Sequence, residues 1–169
     1  KSVLVDLNDA AATLPNSYNS VENITPLETP LSSTINGAAL ATPVFLSLYA
    51  ENDLRLDKYF AETDEKGFRK NKKAGSNNYL CTFRVGEIYL TAAEAAARLG
   101  ELSQARTRLL ELMRKRYAPE AYEAKSVVVN AMDKEALVQE ILDERARELA
   151  FEGHRWFDLR RSTRPRLEK

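Results

Sequence analysis

The sequence predicts a mostly α chain, an array of short antiparallel helices interrupted by long irregular loops. Three stretches carry that reading. Residues 84–98, RVGEIYLTAAEAAAR, hold an alanine run of high helix propensity. Residues 103–116, SQARTRLLELMRKR, repeat apolar positions at helical spacing after a turn at Gly100. Residues 133–151 open on Asp133 and then place apolar side chains at 137, 138, 141, 142 and 149, close to the 3.6-residue period.

Composition sets the outer bounds. The 169 residues are 44% hydrophobic and 30% charged, enough for a packed core and too apolar for a disordered chain. Lys+Arg and Asp+Glu both number 25, so the net charge is zero, without the basic excess of a general nucleic-acid binder. Six Lys/Arg in residues 155–169 face only Asp158 and Glu168, which reads as a solvated or ion-paired surface. Cys81 is the only cysteine, so no intrachain disulfide forms, and its neighbours Tyr79, Leu80 and Phe83 make it a small buried hydrophobe.

Residues 1–83 form a loop-rich segment. KSVLVDL is a strand or extended lead-in, and residues 13–37 are dominated by Pro, Asn, Ser and Thr, the residues of turns. Such a loop either shapes a ligand surface or is merely mobile, and the sequence leaves both open. Thr42 followed by Pro43 predicts a helix start. A second short helix spans 54–60. Residues 64–78, with Lys66, Lys70, Lys72 and Lys73, read as a surface hairpin or loop.

Residues 84–169 hold the scaffold. In the helix over 84–98, Val85, Ile88, Tyr89, Ala92 and Ala96 make one face. In its partner over 103–116, Leu102, Ala105, Leu109 and Leu112 do so. The pair fits a tetratricopeptide register: Tyr89 at the bulky position, Ala93 and Ala105 at small positions that permit close approach, Pro119 near the end. One such unit leaves faces unburied and requires neighbours. The helix over 133–151 is the natural third. Residues 117–132, with the run Val127–Val129, read as a connector or short strand.

The third helix carries the most informative pattern. Asp133 is its N-cap, Glu135 suits the first turn, and Gly153 is its stop. Stepping by three and four from Val138 gives Ile141, then Arg145, Glu148, Glu152 and Arg155. Charges on a core-facing stripe are costly unless paired. We therefore expect a partly buried network of Arg145, Glu148, Glu152, Arg155 and Asp158, with Trp156 packed in the core beside it. Arginine suits such a network through its bidentate fork.

Catalytic readings fare poorly. Glu148 and Glu152 sit four apart, as paired acids do, but neighbouring arginines lower a carboxyl pKa and oppose a general acid. His154, Asp158 and Glu152 offer three donors, yet this is the only histidine and no metal-ligand cluster supports it. Nucleophile elbows, phosphate loops and dinucleotide fingerprints do not occur. The residues point to a binding or interaction module with no catalytic residues, metal or cofactor.

Two segments carry a family resemblance. ILDERARELAFEGHRWFDLRR is similar to the C-terminal motif of the SusD/RagB family, and FRVGEIYLTAAEAAARLGELSQA resembles its other hallmark, with Arg84, Glu87, Tyr89 and Glu94. Together they cover about half the chain. Gly86 departs from the pattern, which leads one to expect alanine there, and should loosen the helix. Asp53, Arg55, Tyr59 and Phe60 resemble a weaker family feature, whose plain alternative is an Asp–Arg pair closing a helix turn.

The resemblance implies a SusD-like α–α superhelix. It implies a non-enzymatic outer-membrane, cell-surface lipoprotein of Bacteroidetes that binds oligosaccharide or another nutrient and lids a SusC-like TonB-dependent transporter. It also implies that residues 1–169 are a C-terminal portion of one larger domain, anchored through an N-terminal part outside this chain. The hallmark residues then maintain the fold, and ligand contacts fall elsewhere. Tyr18, Tyr49 and Tyr79 are loose candidates for such contacts. A helical-repeat interaction scaffold that binds no sugar is the rival reading.

Overall fold

In a computed structural model, residues 2–17, 19–25, 40–73 and 83–162 are described. Tyr18, Tyr79 and Cys81 lie outside them. The described residues form five short strands, β1 (Asn23–Thr25), β2 (Leu40–Ala41), β3 (Phe60–Thr63), β4 (Arg69–Asn71) and β5 (Phe83–Arg84). They also form seven helices: α1 (Pro43–Leu46), α2 (Arg55–Tyr59), α3 (Val85–Leu99), α4 (Leu102–Met113), α5 (Pro119–Ala131), α6 (Lys134–Glu148) and α7 (Arg155–Ser162). The chain is mostly α, in a tetratricopeptide-like arrangement.

Helix α3 packs along both α4 and α6, so the alanine-rich helix is the centre of the array. Its small residues are the reason. Ala93 and Ala97 of α3 and Ala105 of α4 are fully buried, which brings the two backbones close. Leu90, Leu109, Leu112, Met113, Leu137 and Ile141 fill the space between the three helices. Gly100 turns the chain from α3 to α4 at φ 87°, a conformation that glycine adopts without strain.

The buried face of α3 differs from the one the period suggests. It runs through Gly86, Leu90, Ala93 and Ala97, while Ile88 is exposed and Tyr89 half-buried. The alanines offered several equivalent stripes, and the position of α6 selects one of them. Residues 117–132 also differ from expectation, since α5 replaces the connector. Pro119 sits at its first turn, Glu120 complements the dipole there, and only Val129 of the valine run is buried.

A second core gathers the loop-rich segment. Val5, Leu7, Ala41, Tyr49, Tyr59 and Phe60 pack with Ala150. Edge-on ring contacts run from Phe45 to Tyr49 at 5.8 Å and from Tyr49 to Phe60 at 5.5 Å. Thr42 caps α1 through its hydroxyl, which accepts from the Phe45 N–H at 3.2 Å. Strands β2, β4 and β3 form one antiparallel sheet, and β1 pairs with β5. That second pairing delivers Arg84 to the N-cap of α3.

Candidate functional site

Helix α6 builds the site. The Asp133 carboxylate caps it by accepting from the Ala136 N–H at 2.9 Å. Leu137 and Ile141 seat its middle in the core. Its last turn is then driven into the interior with charged side chains, Glu144, Arg145, Arg147 and Glu148 all being buried. The helix ends at Glu148, before the glycine expected to stop it, and the chain turns through Phe151 at φ 61° and Gly153 at φ 86° into α7. The early end has a cause: the Glu148 carbonyl accepts from Arg84 Nη2 at 2.8 Å and Lys73 Nζ at 2.9 Å. Side chains from other segments satisfy a helix-terminal acceptor that a further turn would have used.

Around Glu148 lies a closed cage of charge. Its carboxylate accepts from Arg84 Nη1 at 2.6 Å, Arg55 Nη1 at 3.0 Å, and Arg116 Nε and Nη2, each at 2.9 Å. All four side chains are completely buried. Further carboxylates balance the three guanidiniums. Asp53 takes Arg55 bidentately at 2.9 and 2.8 Å, and Glu144 takes its Nη1 at 2.6 Å. Glu152 takes Arg84 through two bonds of 2.9 Å and also pairs with Lys73. Glu22 bridges Arg84 and Arg116 and accepts from the Val5 N–H at 2.9 Å.

The electrostatics follow from this closure. Burial alone would raise the Glu148 carboxyl pKa, but Arg116, Arg84 and Arg55 outweigh it and hold the group well below the ordinary carboxylate range. Burial against Arg55 and Arg147 leaves Glu144 at about 2. Burial against Arg84 and Lys73 likewise leaves Glu152 lowered. Burial pushes Lys73 down to about 8, an effect that Glu152 partly offsets. A carboxyl held ionised cannot donate a proton near neutral pH, so the Glu148–Glu152 pair does not supply a general acid.

A second cluster lies on the other side of α6. Arg145 Nε donates to Asp158 at 3.1 Å, and its Nη1 to Thr91 at 3.1 Å. Arg161 bridges Asp158 at 2.7 Å and Glu94 at 2.6 and 2.7 Å, and Glu94 also pairs with Arg98. These bonds tie α3, α6 and α7 together. The five residues expected to form one network therefore separate. Glu148 and Glu152 enter the cage, Arg145 and Asp158 enter the second cluster, and Arg155 is exposed and belongs to neither. The break at Gly153 is the reason, because α7 starts on a new axis and the stripe of α6 does not extend into it.

The model of the SusD family matches residues 38–167. The chain is also similar to the SusD-like protein P38 of Formosa agariphila, at 31% identity over 115 residues. That stretch is 68% of this chain and 22% of that protein, so the chain spans about a fifth of the length of the curated relative it matches. The chain belongs to the SusD family.

In this SusD family chain the matched span contains Arg55, Lys73, Arg84, Arg116, Glu148 and Glu152, while Glu22 and Val5 lie upstream of it. Of the helix-pair residues, Arg84 is a cage member and Glu94 anchors the second cluster. Glu87 is half-buried 3.6 Å from His154 Nδ1, and Tyr89 is half-buried on α3. The Asp53–Arg55 pair both closes a turn and enters the cage. Gly86, the departure from the family pattern, has a local cause. A Cβ there would stand 2.6 Å from Arg84 Nη1 and 3.1 Å from Glu148 Oε1. The missing side chain is space that the cage occupies.

Sequence reasoning missed Glu22, Lys73 and Arg116. Each is remote in sequence from α6, and none sits in a pattern that distinguishes it from a surface charge. Two placements also reverse expectation. Trp156 is 54% exposed on α7, with Arg160 over its ring at 5.9 Å, because the residues of α7 that face inward are those near Asp158. Tyr49 is buried and donates its hydroxyl to the Arg147 carbonyl at 2.8 Å, so it is no ligand platform. Among the described residues, no group of three or more His, Cys, Asp or Glu is placed to hold a metal, and no helix is long and apolar enough to cross a membrane.

Proposed function

We propose that this chain is part of a cell-surface nutrient-binding protein, with oligosaccharide as its ligand class and a SusC-like TonB-dependent outer-membrane transporter as its partner. The observation that carries the reading is family membership across residues 38–167, since the SusD family is one of nutrient-binding proteins. The cage and the second cluster support it by their character, for they consume their charges in mutual contacts and leave none poised for bond chemistry. Binding is reversible, without bond making, and lipid anchoring belongs to a part of the protein outside residues 1–169. Residues 1–83 and 84–169 are two parts of one unit within a larger domain, a division supported by the ion pairs of Glu22 and Arg55 with Arg84, Arg116 and Glu148.

A glycan-array binding screen on this chain and on a full-length SusD-like protein containing it tests the proposal. Saturable binding of one glycan class by the full-length protein is the expected result. Binding by neither overturns the oligosaccharide reading. The rival, an interaction scaffold, draws on the exposed Trp156 and Phe157 of α7. It gains if a transporter captures the protein while the array stays silent.

A further inference from the structure

A groove of about 360 Å³ lies between β2, α1 and the turn that joins α6 to α7. Neither charge cluster uses it. Its wall is apolar, formed by Leu40, Ala41, Phe45, Leu149, Phe151 and Trp156, and Arg155 stands at its edge. We propose that this groove docks an extended peptide segment that carries a large aliphatic side chain followed by a carboxylate. The aliphatic group fills the groove, the carboxylate meets Arg155, and the peptide backbone lies along the free edge of β2.

Each part of that occupant answers a feature of the chain. Strand β2 is an edge strand, paired among the described residues only with β4. In an antiparallel pair, alternate residues turn their N–H and C=O groups away from the partner, so one of its two residues offers both to a further strand. Leu40 and Ala41 line the groove beside that edge, so a side chain of an added strand has somewhere to go. Arg155 is exposed and forms no ion pair with a described residue, which sets it apart from the buried arginines of this chain. A planar guanidinium takes a carboxylate bidentately. Phe151 contributes a further sign. It is the only non-glycine described residue with positive φ, at 61°, an unusual conformation for a bulky side chain that tends to occur at functional sites. There it sets its ring edge-on to Phe45 at 6.2 Å and Phe60 at 6.1 Å, which shapes the groove floor. Trp156 and Phe157, 54% and 69% exposed, extend the apolar surface outward from the groove. Aromatic and arginine side chains are the types enriched at protein–protein contacts. A sugar fits less well, because the wall offers few polar groups to its hydroxyls.

Trp156 is the only tryptophan in the chain, so its emission reports on this groove alone. The probe is an acetylated, amidated pentapeptide, Thr-Val-Leu-Glu-Thr, titrated against the whole chain. The expected result is a saturable blue shift. Replacing the peptide's Glu by Gln should weaken binding about tenfold, the scale of one charge-assisted hydrogen-bond pair. Arg155→Gln should weaken it by the same factor, and the two changes together should cost no more than either alone. An unchanged far-ultraviolet circular dichroism spectrum shows that the variant is folded. No saturable shift at millimolar peptide overturns the proposal, as does equal binding of the Glu and Gln peptides. A shift of equal size with hexanoate shows a small-acid site and overturns the strand-addition part. A blue shift that grows with protein concentration alone, with a doubled sedimenting mass, shows that a second copy covers the groove, and this too overturns the proposal.

Discussion

The two ion-pair clusters are built from the same residue types on the same helix, yet they differ in kind. Around Glu148, Arg55, Arg84 and Arg116 are wholly removed from water and each meets two or more carboxylates. Around Glu94 and Asp158, the carboxylates are buried but Arg161 and Arg98 keep 42% and 50% of their side chains exposed. Arg145 and Glu148 are only three residues apart, but no ion pair joins them. One reaches Thr91 and Asp158, the other Arg55, Arg84 and Arg116. Helical spacing places side chains side by side; it does not aim them at the same partners. The lesson is about energy as well as geometry. A buried pair carries a desolvation cost that only its partners offset, so breaking it is expensive even where its net contribution to stability is small. An exposed pair has little to lose.

The sharpest way to break the contrast is Glu148→Gln. The amide keeps the shape and removes the charge at the point where three guanidiniums meet. We expect a loss of ~3–5 kcal/mol in urea unfolding, the scale for leaving buried charge uncompensated. A loss below ~1 kcal/mol would mean that Glu22, Asp53, Glu144 and Glu152 suffice for the arginines and that the cage has no centre.

Next in size is an acid dependence. Glu144 titrates near 4.5 when free of the fold and at about 2 within it. A depressed carboxyl contributes stability that is complete above its unfolded pKa and is lost as pH falls toward the folded value. The chain should therefore lose stability between pH 4.5 and about 2, with Glu148 and Glu152 acting in the same direction. Glu144→Gln should make that decline shallower by one proton's share while lowering stability at pH 7. An unchanged slope of unfolding free energy against pH in the variant would remove Glu144 from the cage's account.

Gly86→Ala sets two effects against each other. Alanine improves helix propensity by up to ~1 kcal/mol, and less than that in a first turn. Its Cβ would also press on Arg84 Nη1 at 2.6 Å. A guanidinium is often free to yield, but this one is bonded to Glu22, Glu148 and Glu152. We expect a net loss of ~1–2 kcal/mol, within the usual cost of overpacking. A gain in melting temperature would show that the cage shifts as a body without losing its bonds.

How much of this was legible in the sequence follows the same divide. The helices α3, α4 and α6, the Asp133 cap and the turn at Gly100 were legible, because capping, period and propensity act over a few residues. Glu148 and Glu152 stood out as charges on an apolar stripe. Their partners did not, with one exception: Arg84 stood among the family hallmarks, though not as a member of their network. Glu22, Arg55, Lys73 and Arg116 arrive from segments 32 to 126 residues distant from Glu148, or between these limits, through pairings such as β1 with β5 that no local pattern encodes. Lys73 illustrates the limit. It follows three other lysines in a polar stretch and looks like surface, yet it lies buried with its ammonium 4.3 Å from the Tyr59 ring centre. Trp156 illustrates the converse, a large apolar residue inside a family motif that faces outward.

The smallest effects sharpen the comparison from the exposed side. Arg161→Ala removes two bonds to Glu94 and one ion pair with Asp158, but Glu94 retains Arg98 and Asp158 retains Arg145. With water able to replace the lost contacts, we expect ~1 kcal/mol or less. Arg155→Ala removes a guanidinium that no described carboxylate holds, and we expect a change within ~0.5 kcal/mol, the range for surface substitutions away from special features. Guanidine melts of both variants beside Glu148→Gln would place the three on one scale. If Arg161→Ala approached the loss seen at Glu148, burial of the carboxylate alone would govern the cost, and exposure of its partner would count for little. If Arg155→Ala did so, the stripe of α6 would run on across the Gly153 turn after all, and the division into two clusters would fail.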